Sequence, residues 1–405
     1  MCVEFNLSQS GLIQMEQAAH VKSWCRALPL ERTAAILDSS RTTFGVARIG
    51  NITRLDGIGI ATVSVVRSDP VGQSVSVCTG KGESELHARV GALAEALERY
   101  CAEPRGRIRV ITARLSELGT EALSPDSLIL PENSSIAGAI DWCSGRRLDG
   151  DRVLVPANAV FFPYFPSEAA ARLFAANTTG LAVGASLEEA LVFALLECIE
   201  CDAYSRAVAL ATAGHGEEIA VVDSKSAQDC AGVEIEAVRA RAHDILVRDL
   251  RCDTDVPCYL CTIFDGSLTH LGVAARPDAC QALRAAIQEA AQSRLTDLQG
   301  AREDLADRAT SNVVDPWFLT GGNAPTVSVR DGWAANSPKQ TLHELGTRLR
   351  SLEHPVSPVW VDLSLPTVGL TVVRAITPGL EMWAFDPSRV GPRARNWLCP
   401  RESSS

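Results

Sequence analysis

Three short acidic patterns hold the residues of this 405-residue chain best suited to chemistry. Glu95 and Glu98 lie in VGALAEALERYCA, Glu197 and Glu200 in ALVFALLECIECD, and Glu289 and Gln292 in IQEAAQSR. Each pattern sets an oxygen-bearing side chain three residues after a Glu, so on a helix both members share one face. The neighbours of the first two pairs are apolar on nearly all sides, unlike the outer face of a surface helix. Carboxylates among such neighbours lose hydration, and like charges repel more strongly there. A cation resolves the conflict. Arg99 stands at the i+4 position from Glu95, but Glu197 and Glu200 have only Arg206 close in sequence. Mg2+ is the better candidate, because it takes a few carboxylate oxygens together with phosphate oxygens. A single such pair is ordinary decoration of a solvated helix. Three of them on Ala/Leu-rich helices point to a polynuclear metal or nucleotide site.

The elements that must position these pairs follow from the apolar pattern. Helices are predicted over about 86–102, from Ser186 to Tyr204, and from Asp278 to Gln299. Ser186 and Glu189 have the spacing of a capping box. Short β-branched runs predict strands at 57–67, 73–78, 105–112, 257–264, 270–275, 358–363 and 370–376, with Thr79-Gly80-Lys81-Gly82 read as a break after the second. Residues 142–165 read as a hairpin about Asp149-Gly150. A further helix is predicted near 340–352. Strands and helices are mixed without strict alternation, which predicts an α/β or α+β fold of mixed sheets with packed helices. Residues 1–44 read as a helical preamble, 45–385 as the catalytic domain and 386–405 as an irregular, Pro- and Arg-rich tail.

Bulk composition narrows the function classes. The chain is 46% hydrophobic and 21% charged, the balance of a globular domain, with a formal net charge of −11. No basic run is long enough for a nucleic-acid partner, and an acidic protein gains little from an anionic membrane surface. No signal peptide or apolar run of spanning length is present, so a cytoplasmic location is expected. The thirteen cysteines are scattered and read as small buried hydrophobes in a reducing compartment rather than a disulfide framework. Cys252, Cys258 and Cys261 could be read as zinc ligands. However, Cys258 and Cys261 fall three apart in a strand and point to opposite faces.

The segments around the acidic helices resemble the YcaO family. Gly80-Lys81-Gly82 with ARVGALAEALER resembles its first signature, and NTTGLAVG from Asn177 running into LECIECD its second. EAAQSR from Glu289 followed by GARED resembles its third. RIGNITRLDGIGIATVSVVR from Arg48 and DLSLPTVGLTVVRAITPGLE from Asp362 frame them, so the resemblance covers about 45–381 in order. It implies an ATP site without a P-loop. Glu95, Glu98, Glu197 and Glu200 would hold Mg2+ on the triphosphate, and Asn177, Glu289 and Gln292 would be further nucleotide-site residues. Arg48 and Arg294 are implied as phosphate contacts. Two positions depart from the family pattern: Gly91 stands where Ser is frequent, and Cys201 where Arg is frequent. The implied activity is ATP-dependent activation of a peptide backbone amide by O-phosphorylation. A thioamide, azoline or amidine results according to the nucleophile. The segments TPGLE and GPRA, and final residues CPRESSS without the terminal Pro-rich tail of many azoline-forming members, resemble members that work with a TfuA-type partner. A precursor peptide or protein substrate, a TfuA-like or other partner protein and a homodimer are therefore expected. The alternatives are a non-catalytic YcaO-like scaffold binding precursor peptide or partner, and an accessory factor for sulfur modification of a ribosomal protein.

Overall fold

The computed structural model describes residues 25–399, except 73, 133, 303–315 and 335. The first part of the expected preamble, and Glu303 and Asp304 of the third signature, lie outside the described residues. Besides two four-residue helical turns, the α-helices in chain order are α1 (Leu30–Ser40), α2 (Glu85–Ala102), α3 (Leu187–Thr212), α4 (Ser224–Arg239), α5 (Ala279–Gln299), α6 (Pro338–Arg350) and α7 (Pro392–Leu398). The strands are β1 (Val46–Asn51), β2 (Ala61–Arg67), β3 (Val77–Gly82), β4 (Val110–Ala113), β5 (Ile140–Arg147), β6 (Arg152–Pro156), β7 (Leu181–Gly184), β8 (Val221–Val222), β9 (Asp244–Asp249), β10 (Cys258–Phe264), β11 (Thr269–Ala275), β12 (Thr326–Val327), β13 (Val359–Asp362) and β14 (Thr371–Ile376).

These strands form three sheets, in the orders β1-β2-β3, β4-β5-β13-β14-β7 with β6 on β5, and β11-β10-β9-β8-β12. The fold is thus the mixed α/β arrangement that the pattern predicts. Three buried apolar clusters form the core, built around α2, α3 and α5 respectively. The strands β3, β7 and β11 each lie at the edge of their sheet, and each is followed by its own acidic helix.

Glycines set the distance between each edge strand and its helix. A Cβ on Gly80 of β3 would lie 2.1 Å from the Ala88 carbonyl oxygen and 2.2 Å from the Ala92 nitrogen of α2. A Cβ on Gly184 of β7 would lie 2.4 Å from the Ala190 nitrogen of α3, and one on Gly272 of β11 would lie 2.2 Å from backbone atoms of Ala286 and Ala290 in α5. Backbone meets backbone at all three crossings, with alanine opposite glycine. This corrects the reading of Thr79-Gly80-Lys81-Gly82 as a break. β3 runs through to Gly82, because its glycines serve close approach to a helix rather than a turn.

Other expectations shift for identifiable reasons. Only Val77–Cys78 of the 73–78 segment are strand, and 105–112 contributes only from Val110 onward. The second arm of the predicted hairpin stops at Pro156 and turns into a 3-10 helix at Ala157–Ala159, since proline ends the ladder. Helix α3 extends to Thr212, beyond the predicted Tyr204, through an Ala-rich run with high helix propensity. The capping box at its start is half formed. Ser186 Oγ accepts from Glu189 N at 3.2 Å, while the Glu189 carboxylate accepts instead from Arg26, Ala27 N and Ala185 N.

The C-terminal segment predicted as irregular carries α7, with Pro392 in its first turn, a position where proline costs no hydrogen bond. Arg393 is buried there, donating to Asp202 Oδ2 at 2.7 Å and to Asp253 Oδ2 at 2.6 Å. Asp202, Cys252 and Asp253 form the one group of three close potential metal ligands among the described residues, and this guanidinium already supplies its cation. The cysteine reading also needs one correction. Ten described cysteines are free, but Cys230 and Cys280 form a disulfide across 4.9 Å between Cα atoms, joining α4 to the start of α5. Fifty residues apart in sequence, they gave no local signal. Cys258 and Cys261 pack in different core clusters, on opposite faces of β10, and share no metal.

Replacing Gly80 by Ala should cost about 1–3 kcal/mol or more, the usual cost of forcing a methyl group into a packed core. Gly50→Ala on β1, where a Cβ meets nothing within 4 Å, should stay within about 0.5 kcal/mol of wild type. Urea midpoints of the two variants measure the contrast. Equal midpoints would remove the role given to the strand–helix crossing.

Candidate active site

The three helices direct their acidic pairs to one centre, and hydrogen bonds fix how. Glu95 of α2 accepts from the backbone N–H of Thr79 in its own strand at 2.9 Å, and Glu98 from that of Val183 in β7 at 2.8 Å. Glu197 of α3 accepts from Gly180 N, just before its own strand, at 3.1 Å, and Glu200 from Ala275 N in β11 at 3.0 Å. On α5, Gln292 donates to the Thr79 carbonyl oxygen at 2.8 Å and to its hydroxyl at 2.7 Å. Glu289 accepts from Lys81 Nζ at 2.6 Å, both contacts leading back to β3. The second member of each pair thus reaches the strand of the next unit, and the third unit closes on the first. Edge strands carry backbone groups with no strand partner. At this junction the glutamates occupy such N–H groups with one oxygen each.

Electrostatics follow from that placement. Burial pushes the Glu98 carboxyl well above the ordinary carboxylate range, and the charge of Glu197 pushes it further. Glu200 is raised by burial and then by the charge of Glu289. Burial raises Glu197 to about 7, against the opposing pull of Arg374 and the Gly180 N–H bond. Cations come from across the fold. Arg99 donates to Glu95 at 3.1 Å, as its spacing predicts. Arg276 lies in the field of Glu200 and Glu289, and Arg374 in that of Glu197. Lys81, Arg276 and Arg374 were not assigned roles from the sequence. Lys81 stands in the quoted Gly-Lys-Gly stretch and Arg374 in the framing VVRAITPGLE stretch, but only the folded chain brings them to the carboxylates.

Of the remaining sequence candidates, Asn177 joins the centre. Its Oδ1 accepts from Thr179 N at 3.1 Å and from Arg374 Nη2 at 3.0 Å. Arg294 does not join it: its Nη1 pairs with Asp56 at 3.0 Å and its Nε lies 3.3 Å from Asp265. Arg48 is exposed on β1, two strands from β3. Among the described residues no hydrogen bond or ion pair joins it to the carboxylates. A cavity of about 430 Å3 opens onto Glu95, Glu289, Gln292, Thr79, Lys81 and Arg302.

The donor set fits Mg2+ held jointly with a polyanion. Among the described residues, the glutamates include no group of three whose oxygens lie within 4.8 Å of one another, so they do not form a closed cage. Mg2+ characteristically keeps waters and accepts one or two carboxylates plus phosphate oxygens. The buried Nη1 of Arg374 has no hydrogen-bond partner, as suits a site completed by an anion.

Comparison with known proteins agrees with this fold and with ATP and Mg2+ as cofactors. Residues 79–381 match the family model described as YcaO cyclodehydratase, ATP- and Mg2+-binding. An uncharacterized protein of Methanothermobacter thermautotrophicus is 35% identical over 368 residues, covering 87% of this chain and 94% of its own. A Rhizobium leguminosarum bv. trifolii protein described as lying in the tfuA 3' region is 26% identical, covering 93% and 94%. Among solved structures, the YcaO protein of Methanopyrus kandleri bound with AMPPCP and Mg2+ superposes with a TM-score of 0.71 at 23% identity, over 90% of this chain and 95% of its own. A heterocyclase in complex with substrate and cofactor gives 0.73 at 21% identity over 88% of this chain, which spans only 53% of that larger protein. The family match defines an ATP-dependent, Mg2+-binding enzyme of cyclodehydratase type. The chain belongs to the YcaO family. Among the described residues no helix is long and apolar enough to cross a membrane.

The raised Glu197 value has a testable sign. Its value in the fold, about 7, exceeds the ordinary 4.5, so proton binding favours the metal-free fold. That contribution is complete below the ordinary value and is lost as pH rises through about 7. Metal-free wild type should therefore lose melting temperature relative to Glu197→Gln between about pH 5 and about pH 8. Parallel curves for the two proteins would contradict the burial of an ionisable carboxyl here.

Proposed function

We propose that this protein activates a backbone amide of a ribosomally made peptide or protein by O-phosphorylation with ATP, and so installs a thioamide or an azoline. The observation that carries the proposal is the ring of helix-to-strand hydrogen bonds that gathers Glu95, Glu98, Glu197 and Glu200 between α2, α3 and α5. Glu95, Glu98, Glu197 and Glu200 would hold Mg2+, with Asn177, Glu289, Gln292 and Lys81 completing the nucleotide site. Bound Mg2+ would neutralise the triphosphate and the charge developing in phosphoryl transfer.

The reaction balances as follows. A hydrosulfide ion, or a Cys, Ser or Thr side chain of the substrate that releases its proton to solvent, adds to the amide carbon, and the carbonyl oxygen becomes an oxyanion. That oxygen bonds to the γ-phosphorus as its bond to the β-bridging oxygen breaks, releasing ADP. The carbon–oxygen bond then breaks and phosphate leaves. Loss of the sulfur proton gives a thioamide, and loss of the amide proton gives the C=N of an azoline. The protein's residues act by holding the polyanion in place and excluding water, which is most of what phosphoryl transfer requires.

Several observations support the finer points. The 26% identical relative in a tfuA 3' region and the TPGLE and GPRA segments favour a TfuA-type partner and hence a thioamide. Ten free thiols against one disulfide among the described residues fit a cytoplasmic setting. A homodimer is expected by analogy with the family. The scaffold alternative rests on Gly91 and Cys201. It is weakened because the four glutamates are all present, with Arg99 bonded to Glu95, Arg276 in the field of Glu200 and Arg374 in that of Glu197.

Magnesium-dependent ATP hydrolysis by purified protein, with the partner and precursor peptide present, tests this reading. Glu197→Ala combined with Glu200→Ala should lower turnover by about 100-fold or more without unfolding the chain. The peptide's mass change then names the product: loss of one water for an azoline, or replacement of oxygen by sulfur for a thioamide. Well-folded wild type without turnover would favour the scaffold.

A further inference from the structure

Position 201 lacks the cation that its surroundings call for. Cys201 follows Glu200 directly on α3, is buried, and has a thiol pushed well above its usual range by burial and by the charges of Glu197 and Glu200. Nothing on α3 within this turn offsets those charges. A positive group acting on both Glu197 and Cys201 comes instead from β14.

Arg374 lies opposite Leu181 of β7 in the β14–β7 ladder and is 4% exposed. Its Nε donates to the Ala159 carbonyl oxygen at 3.0 Å, and its Nη2 to Asn177 Oδ1 at 3.0 Å. Its Nη1 is buried and has no partner. A chain of contacts runs from it to position 201. Asn177 Oδ1 also takes the Thr179 N–H at 3.1 Å, and Thr179 Oγ1 lies 3.6 Å from Cys201 Sγ. A second chain runs to Glu197. The residue after Arg374, Ala375, donates its N–H to the Gly180 carbonyl oxygen at 2.7 Å, and Gly180 N donates to Glu197 at 3.1 Å.

We infer that Arg374 is a positioning residue that supplies from β14 the positive charge missing at Cys201, holding Asn177 and Glu197 in place for a metal–nucleotide polyanion. The inference rests on the nucleotide reading proposed above. Burying an arginine with one donor unsatisfied is costly, and such groups are rare unless an unseen partner completes them. The charge of Arg374 is the larger of the two cationic influences on Glu197, ahead of Arg99 on α2, and opposes the charges of Glu98, Glu200 and Glu289.

Charge relocation separates this role from simple packing. The dissociation constant of Mg2+ with AMPPCP, a nonhydrolysable ATP analogue, is measured by calorimetry on the full chain, with folding checked by circular dichroism. Arg374→Gln should weaken binding about tenfold or more, and Arg374→Lys by less than about threefold. Adding Cys201→Arg to Arg374→Gln should recover most of the loss, an outcome that a purely structural arginine would not give. The inference is overturned if folded Arg374→Gln binds as wild type does. It is equally overturned if Arg374→Lys is as weak as Arg374→Gln, or if the double variant is no tighter than Arg374→Gln. Should Arg374→Gln alone not fold, the Lys variant and the double variant decide. Wild type that binds no Mg2+–AMPPCP would overturn the nucleotide reading and this inference together, whereas an unaffected variant of a binding wild type overturns only the inference.

Discussion

The structure depends on one constraint: carboxylates from three separate helices must share a centre without destroying it by repulsion and desolvation. The solution is to give each of Glu95, Glu98, Glu197 and Glu200 a backbone N–H from an edge strand or the turn before it. The same bonds satisfy amides that a sheet edge leaves open. The site is therefore the joint of the fold as well as its chemical centre. The bonds of Glu98 to β7, of Glu200 to β11 and of Gln292 to β3 link three sheets that share no strand.

Reach explains the small residues. A glutamate that must span from helix to neighbouring strand needs its helix close to the sheet, and side chains at the crossing would hold it away. Gly80, Gly184 and Gly272 oppose Ala88 and Ala92, Ala190, and Ala286 and Ala290. The helices descend onto bare backbone there. The larger apolar residues, such as Leu93, Leu97, Leu195, Ile199, Leu283 and Ile287, fill the cores on the remaining faces. Packing and catalysis thus place opposite demands on adjacent helix positions, which is why these helices read as apolar nearly all round yet carry paired acids.

Charge balance is shared among elements far apart in the chain. Arg99 comes from the same helix as the glutamate it pairs with, Lys81 from β3, Arg276 from the end of β11, and Arg374 from β14. The C-terminal segment adds a second layer, since Arg393 locks onto Asp202, two residues beyond Glu200. Glu381 accepts from Gly391 N and Ala394 N, and its own N–H donates to Asp202. α3 is consequently gripped on one side by the carboxylate centre and on the other by α7. Its position is set by both.

What the sequence by itself determined is local. The spacing of the acidic pairs and the apolar runs around them specified helices at α2, α3 and α5 and most of the strands, and pointed to the metal and nucleotide that the family description names. Helical periodicity and i,i+3 spacing are properties of contiguous residues, so one chain suffices to read them. Tertiary structure alone decided the rest. It turned the Thr79–Gly82 stretch from a break into the strand that anchors Glu95 and Gln292. It took Arg294 to Asp56 and left Arg48 two strands away. It also brought Arg374 and Lys81 to glutamates separated from them by 177 and 208 residues. Those outcomes depend on which backbones can approach and which buried charges find a partner, and both are settled only when distant segments meet.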